Sequence, residues 1–112
     1  MNAALPVQRQ LEAYNAHDLD KFVAEYADDV CVFRPPQNQP VISGKPAFAA
    51  HYSTNRFNLP NLKAEVVSRI VCGNKVIDHE RITGLEERTI EVVAVYEVID
   101  GRIRRVWFFS AA

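Results

Sequence analysis

The apolar positions in the first thirty residues follow the spacing of two helices. A first helix is predicted from the helical spacing of Leu5, Gln8, Leu11 and Tyr14 or Asn15, and it should close near residues 15–17. Asp18 is placed to cap a second helix, because its carboxylate can accept hydrogen bonds from the free amides of a first turn. An apolar stripe at i, i+3, i+4 and i+7 follows, formed by Leu19, Phe22, Val23 and Tyr26. We expect this helix to end at Asp28-Asp29.

A short strand and a third helix are predicted next. Residues 30–33 are β-branched, aromatic or cysteine, and Pro35-Pro36 must end that strand because proline has no amide hydrogen to donate. Gly44 and Pro46 then indicate a helix start. Proline is tolerated in the first turn because the amide it lacks would have no partner within the helix.

The second half of the chain predicts four long strands in two hairpins. Gly73-Asn74 and Asp100-Gly101 are signals for two-residue turns, whose backbone conformations Gly, Asn and Asp tolerate. The expected strands are residues 62–72, 75–83, 89–99 and 102–110. Three helices followed by segregated antiparallel strands indicate the α+β class, and a chain of 112 residues suits a single domain spanning 1–112.

Composition narrows the class of function. Hydrophobic residues make up 48% of the chain and the net charge is −1, which describes a globular domain and argues against binding to nucleic acid or to an anionic membrane surface. No apolar stretch is long enough to span a membrane, and no signal peptide is evident, so we expect a cytoplasmic protein. Cys31 and Cys72 lack the spacing of a metal site, and we expect no metal and no cofactor.

The two turns also predict which residues face each other across the hairpins. Counting outward from Asp100-Gly101 places Glu97 opposite Arg104. The face expected to be concave then carries Val92, Ala94, Tyr96, Arg105, Trp107 and Phe109. The opposite face carries Val93, Val95, Val106 and Phe108. Because this convex face is also apolar and helices can cover only one side, we expect a homodimer through it.

Four ionisable residues occupy the middle of the strand expected at 75–83. Strand alternation places Asp78 and Glu80 on one face and His79 on the other. An apolar pocket around the carboxyl groups would raise their pKa toward the range useful for proton abstraction. Arg69, which faces Asp78 in the predicted register, favours the alternative of a structural ion pair.

Three segments carry a resemblance to a known family: VQRQLEAYNAHDLDKFVAEYADDVCVF, SGKPAFAAHY and VYEVIDGRIRRVWFF. Together they resemble the nuclear transport factor 2-like superfamily, and within it the SnoaL-like polyketide cyclase and ketosteroid isomerase branch. The resemblance implies a cone-shaped, cystatin-like fold, in which three N-terminal helices pack on a curved, mostly antiparallel sheet around a pocket. It also implies dimerisation through the convex face of the sheet.

The resemblance further implies positions for catalytic groups. In the isomerase branch a tyrosine and a protonated aspartate hold an oxyanion while a second aspartate moves a proton. The matching positions here hold Gln10 in place of the tyrosine, Arg34 in place of the proton-moving carboxylate and Ala94 in place of the oxyanion-hole aspartate. Since all three groups are missing, we do not expect the ketosteroid isomerase mechanism.

Candidate catalytic residues are therefore Asp78 and Glu80 as bases, Arg34 or Tyr14 as an electrophilic partner, and His79 as a further base. Arg34 and Arg105 are expected to point inward, where a guanidinium group must either pair with Asp78 or Glu80 or bind a carboxylate-bearing ligand. The residues expected to contact the ligand are Gln10, Tyr14, Tyr26, Tyr52, Ala94, Tyr96, Arg105, Trp107 and Phe109.

Three functions stay open at this point. The first is a cofactor-free isomerase, cyclase or dehydratase acting on a small hydrophobic or carboxylate-bearing molecule. The second is a non-catalytic binding module or dimeric accessory domain with the same pocket. The third is a purely structural interaction protein, in which side chains would fill the cone. An ionisable pair that converges in an enclosed cavity would favour the first.

Overall fold

The helices begin where local signals predicted them. In the computed structural model, which describes residues 2–111, the Asp18 carboxylate accepts a hydrogen bond of 3.1 Å from the Lys21 amide and caps the second helix. Gly44 precedes the third helix with a φ of 86°, a conformation that favours glycine, and Pro46 lies in its first turn. The helices are α1 (Ala4–Asn15), α2 (Leu19–Ala24) and α3 (Lys45–Asn55).

The predicted length of the second helix was wrong. It ends at Ala24 rather than at Asp28-Asp29, and Tyr26 begins a strand. Tyr26 pairs in parallel with Ile103, and the Ile103 amide donates to the Glu25 carbonyl at 2.9 Å, so sheet hydrogen bonds replace the helical ones. The tyrosine ring nevertheless stays buried, with its centroid 5.1 Å from that of Phe22.

Six strands form one sheet. Its order is β2-β1-β6-β5-β4-β3, in which β1 and β6 are parallel and all other neighbours are antiparallel. The strands are β1 (Tyr26–Phe33), β2 (Ile42–Ser43), β3 (Lys63–Cys72), β4 (Lys75–Thr83), β5 (Ile90–Ile99) and β6 (Arg102–Ser110). The four long strands and both hairpins were predicted, and the architecture is α+β.

Two β-bulges change the predicted pairing. In β6, Val98 pairs with Ile103 as predicted, but Glu97 pairs with Arg105, so Arg104 is an extra residue. In β3, Ser68 faces His79 as predicted, but Val66 rather than Val67 faces Glu80. Each bulge reverses the side-chain alternation of its own strand beyond the extra residue, because successive side chains point to opposite faces.

The bulge at Arg104 makes part of the predicted pocket lining wrong. Arg105, Trp107 and Phe109 lie on the outer face of the sheet, whereas Val106 and Phe108 lie on the inner face, toward the helices. Arg105 donates a hydrogen bond of 2.8 Å to Glu97, Trp107 stacks on Phe33, and Phe109 is 42% exposed. The expected pairing of Glu97 with Arg104 is replaced in the same way, and Arg104 bonds Asp29 instead.

The core lies between the helices and the inner face of the sheet. Phe22 from α2 stacks on Phe48 from α3, and both rings are buried. The inner face contributes Val76, Ala94, Val98, Ile103 and Val106, all at most 5% exposed. Side chains fill much of the space between the helices and the sheet, and the remainder forms a cavity.

Candidate functional site

A cavity of about 260 Å³ opens between the helices and the sheet. Its buried part is lined by Gln10 of α1, Tyr26 of β1, Glu80 of β4 and Tyr96 of β5. Its more exposed rim includes Arg34 and Arg56 together with Glu86. The other lining residues are Leu11, Tyr14, Phe22, Tyr52, Ala64, Ile82, Leu85, Ile90, Val92, Phe108 and Ser110.

A chain of hydrogen bonds connects the polar groups of the buried part. Tyr26 donates to Gln10 Oε1 at 2.9 Å, and Gln10 Nε2 donates to the Val7 carbonyl at 3.0 Å and to Tyr96 Oη at 3.5 Å. Tyr96 Oη in turn donates to Glu80 Oε2 at 3.0 Å. The amide of Gln10 thus holds both tyrosine hydroxyls in place, and the chain ends at a carboxyl group.

One carboxyl oxygen of Glu80 is accessible from the cavity. Its side chain is buried, with 5% of the residue exposed, and Oε2 is bonded to Tyr96. Oε1 receives no hydrogen bond from residues 2–111. In that range, every side-chain oxygen that is sealed from solvent has a hydrogen-bond partner, so Oε1 is not sealed. Oε1 is therefore accessible from the cavity that Glu80 lines.

The surroundings of Glu80 raise its pKa to about 7. Burial is the largest cause, because a charged carboxylate loses its hydration there, and the nearby Asp78 carboxylate acts in the same direction. The hydrogen bond from Tyr96 and the charge of Arg69 favour the ionised form and keep the pKa from rising further. A carboxyl group with this pKa is available as both acid and base near neutral pH.

Asp78 has a different environment although it lies two residues away on the same face of β4. It is fully buried, and Arg69 donates two hydrogen bonds, of 2.7 and 3.0 Å, to the two oxygens of its carboxylate. Arg69 also donates to Gln8 Oε1 at 2.9 Å. Asp78 does not line the cavity, so its geometry fits the alternative of a structural ion pair.

Two further tyrosines present hydroxyl groups to the cavity. Tyr14 and Tyr52 line the cavity, and neither hydroxyl has a hydrogen-bond partner among residues 2–111. Every hydroxyl in that range that is sealed from solvent has a partner, so these two hydroxyls are accessible. Burial raises the pKa of Tyr52 to about 12 and raises the pKa of Tyr14 as well. Both hydroxyls therefore stay protonated and can donate to an oxygen of a bound molecule.

Two arginines supply positive charge at the rim. Arg34 directly follows β1, and its Cζ lies 5.3 Å from the ring centroid of Phe108. Arg56 directly follows α3 and donates to the Asn55 carbonyl at 2.8 Å. After burial, the charges of Arg56 and Arg34 are the causes that lower the pKa of His51.

The remaining predicted site residues lie elsewhere. His79 is on the outer face, where its Nε2 lies 2.8 Å from Glu91 Oε1, so the structure separates it from the cavity as its register predicted. Ala94 is fully buried beneath the cavity and does not line it. The placements of Arg105, Trp107 and Phe109 in the pocket were wrong, as the bulge in β6 explains.

Sequence reasoning missed Arg56 and Phe108 as lining residues. Arg56 follows Tyr52 by four positions, so the helical spacing of α3 was a usable signal. Phe108 reaches the cavity only because of the bulge at Arg104, which the hairpin turn does not reveal.

Within residues 2–111, no group of three or more His, Cys, Asp or Glu side chains is arranged to hold a metal ion. In the same range, every helix is too short or too polar to cross a membrane.

Comparisons with known proteins agree with this fold. A model of the SnoaL-like domain matches residues 7–106, whereas no curated protein matches the chain. An uncharacterised cystatin-fold protein from Novosphingobium aromaticivorans is 25% identical with a TM-score of 0.85, covering 96% of this chain and 97% of that one. A SnoaL-like protein of unknown function from Burkholderia thailandensis is 22% identical with a TM-score of 0.80, covering 98% and 94%. A candidate ketosteroid isomerase from Kribbella flavida is 21% identical with a TM-score of 0.80, covering 98% and 78%.

Proposed function

This chain belongs to the SnoaL-like domain family, and we propose that it is a cofactor-independent enzyme that moves a proton on a small, largely apolar molecule. The reaction class is that of an isomerase, cyclase or dehydratase, with Glu80 as the general base and acid. The observation that carries the proposal is the state of Glu80. It is buried, its pKa is about 7, and one of its oxygens is open to the cavity.

The proposed proton transfer begins at a C–H bond next to a carbonyl group. The Glu80 carboxylate takes the proton, and the electron pair of that bond moves toward the carbonyl oxygen to give an enolate. In this proposal the hydroxyls of Tyr14 and Tyr52, which line the cavity, donate hydrogen bonds to the enolate oxygen. Glu80 then returns the proton to another atom of the same molecule, which completes an isomerisation.

Glu80 and the cavity tyrosines would replace the groups of the isomerase branch. The matching positions hold Gln10, Arg34 and Ala94, of which only Gln10 and Arg34 line the cavity. Gln10 orients Tyr96, which fixes one oxygen of Glu80. The cavity volume of about 260 Å³ lies just below the range of ligand pockets, about 300–1,000 Å³, and therefore favours a compact molecule.

Deuterium uptake by a simple ketone tests this proposal. 2-Tetralone is a compact apolar ketone with exchangeable protons next to its carbonyl group, and its exchange in D₂O is followed by NMR. We expect the protein to accelerate the exchange by about 100-fold or more, with a rate that rises through a midpoint near pH 7. Glu80→Gln should remove the acceleration, since an amide cannot accept the proton.

Glu65→Gln serves as the matched control. Glu65 lies on the adjacent strand β3 and its side chain is 67% exposed, so its loss should leave exchange unchanged. If 2-tetralone binds the wild-type protein without exchange, the non-catalytic binding module is favoured. If exchange persists in Glu80→Gln, another group is the base.

The outer face of the sheet supports the proposal of a homodimer. Val93, Phe109 and Ile70 are 36%, 42% and 58% exposed, and Trp107 and Val95 face the same side. A second copy packed on this face would remove these apolar groups from water, at a gain of about 25 cal/mol for each Å² buried. Light scattering on the purified chain should give twice the 12.7 kDa mass of one copy, and the mass of one copy would contradict the proposal.

A further inference from the structure

The two arginines at the cavity rim differ from most arginines of the chain. The sequence contains nine arginines. Those that form ion pairs with carboxylates are Arg9, Arg69, Arg81, Arg88, Arg104 and Arg105. Within residues 2–111, Arg34, Arg56 and Arg102 form none, and two of these three line the same cavity. Uncompensated positive charge is thus concentrated at the cavity.

Both guanidinium groups are also held in place by the protein. Arg34 lies over the face of Phe108, a lining residue, and this cation–π contact restricts its movement. Arg56 is bonded to the backbone at the end of α3. Each group keeps several N–H donors without an acceptor among residues 2–111, because a guanidinium group carries five.

Among residues 2–111, no carboxylate forms an ion pair with Arg34 or Arg56. Glu86 is the acidic residue of the rim, and it lies 3.7 Å from Arg88 in an exposed pair. Glu80 lies in the buried part of the cavity, where its raised pKa leaves it largely uncharged below neutral pH. Burial is the largest cause that lowers the pKa of His51, and the charges of Arg56 and Arg34 act in the same direction.

We infer that the molecule bound in this cavity is an organic monoanion, whose anionic group, a carboxylate or a group of similar size, lies between Arg34 and Arg56 at the rim. Its apolar body then extends past Phe108 and the cavity tyrosines toward Glu80. This inference deepens the proposed function by naming the substrate class. It rests on the proposed function only for the reaction, and its test measures binding alone.

Two probes of the same shape and different charge test the inference. 2-Naphthoate and 2-naphthamide share an apolar bicyclic body and differ in whether the polar group is an anion. We expect the wild-type protein to bind 2-naphthoate at least about tenfold more tightly than 2-naphthamide by calorimetry, which is the effect of one charged hydrogen bond. In the double variant Arg34→Gln/Arg56→Gln the two affinities should become equal.

Arg102→Gln is the control variant. Arg102 also forms no ion pair within residues 2–111 but lies at the β5–β6 turn, outside the cavity lining, so this variant should keep the preference for 2-naphthoate. Thermal unfolding of each variant establishes that it is folded. Both probes are measured by binding alone, without turnover, so a failure of the proposed proton transfer would not alter this result.

Three results would overturn the inference. The first is equal binding of both probes by the wild-type protein. The second is a preference for 2-naphthoate that survives in the double variant, which would place the anion elsewhere. The third is no binding of 2-naphthoate up to its solubility limit, whether or not 2-naphthamide binds.

Discussion

Asp78 and Glu80 form the most instructive comparison in this molecule. They are the same kind of group, lie two residues apart on one face of β4, and are both buried. Asp78 accepts two hydrogen bonds from Arg69, whereas Glu80 accepts one from the Tyr96 hydroxyl and borders the cavity. The Glu80 carboxyl combines a pKa of about 7 with an oxygen that is accessible from the cavity. Two buried carboxyl groups on one strand face therefore have different environments, because their hydrogen-bond partners differ.

The largest effect on stability should come from breaking the ion pair between Arg69 and Asp78. Arg69→Ala would leave the Asp78 carboxylate buried without its partner, and we expect a loss of about 3–5 kcal/mol in the free energy of unfolding. Urea denaturation measures this loss. Arg81→Ala is the control, because Arg81 is half-exposed in its ion pairs and its loss should cost less than about 1 kcal/mol.

A double variant sharpens that result. In Arg69→Met/Asp78→Leu both charges are replaced by apolar groups, and much of the lost stability should return. If the double variant were no more stable than Arg69→Ala, the cost would lie in the packing of Arg69 and its bond to Gln8 rather than in an uncompensated charge.

The raised pKa of Glu80 should make the free energy of unfolding depend on pH. The pKa of Glu80 is raised from 4.5 to about 7 in the folded state, so the folded protein holds this proton more tightly than the unfolded chain. The resulting stability is fully present below pH 4.5 and is lost as the pH rises through about 7. The free energy of unfolding of Glu80→Gln, relative to that of wild type, should therefore increase by roughly 3 kcal/mol between pH 4.5 and pH 8.

Denaturation of both proteins at several pH values gives the difference directly. Glu65→Gln provides the reference for the loss of one exposed carboxyl group on the adjacent strand. A stability difference between Glu80→Gln and wild type that stays constant with pH would mean that Glu80 titrates as an ordinary carboxyl group.

Much of this contrast was readable from the sequence. The alternation of β4 placed Asp78 and Glu80 together, and the register from the Gly73-Asn74 turn placed Arg69 opposite Asp78. The apolar stripes on the helices placed the cavity tyrosines inside the fold. Tyr26 reached the interior even though it was assigned to a helix, because both the helical stripe and the strand direct it inward.

The rest depended on features with no local signal. A bulge adds one residue to a strand, and the hairpin turn next to it keeps its two-residue signature. Counting from the turn therefore succeeded for Val98 with Ile103 and failed from Arg105 onward. Which carboxyl group would border an empty space also depended on how α1 and α3 lie on the sheet, and a one-dimensional pattern does not specify that.

The smallest expected effect concerns the single hydrogen bond that distinguishes Glu80 from a bare buried carboxyl group. Tyr96 stabilises the ionised form of Glu80, so Tyr96→Phe should raise the pKa of Glu80 above 7 and move the midpoint of ketone exchange to higher pH. We expect a cost to stability of about 1 kcal/mol above that midpoint and less below it, because the lost bond favours the charged form. Tyr26→Phe removes a similar hydroxyl that bonds Gln10 and not Glu80, so its midpoint should stay in place. Equal shifts in both variants would mean that the whole hydrogen-bond chain, rather than Tyr96 alone, sets the pKa of Glu80.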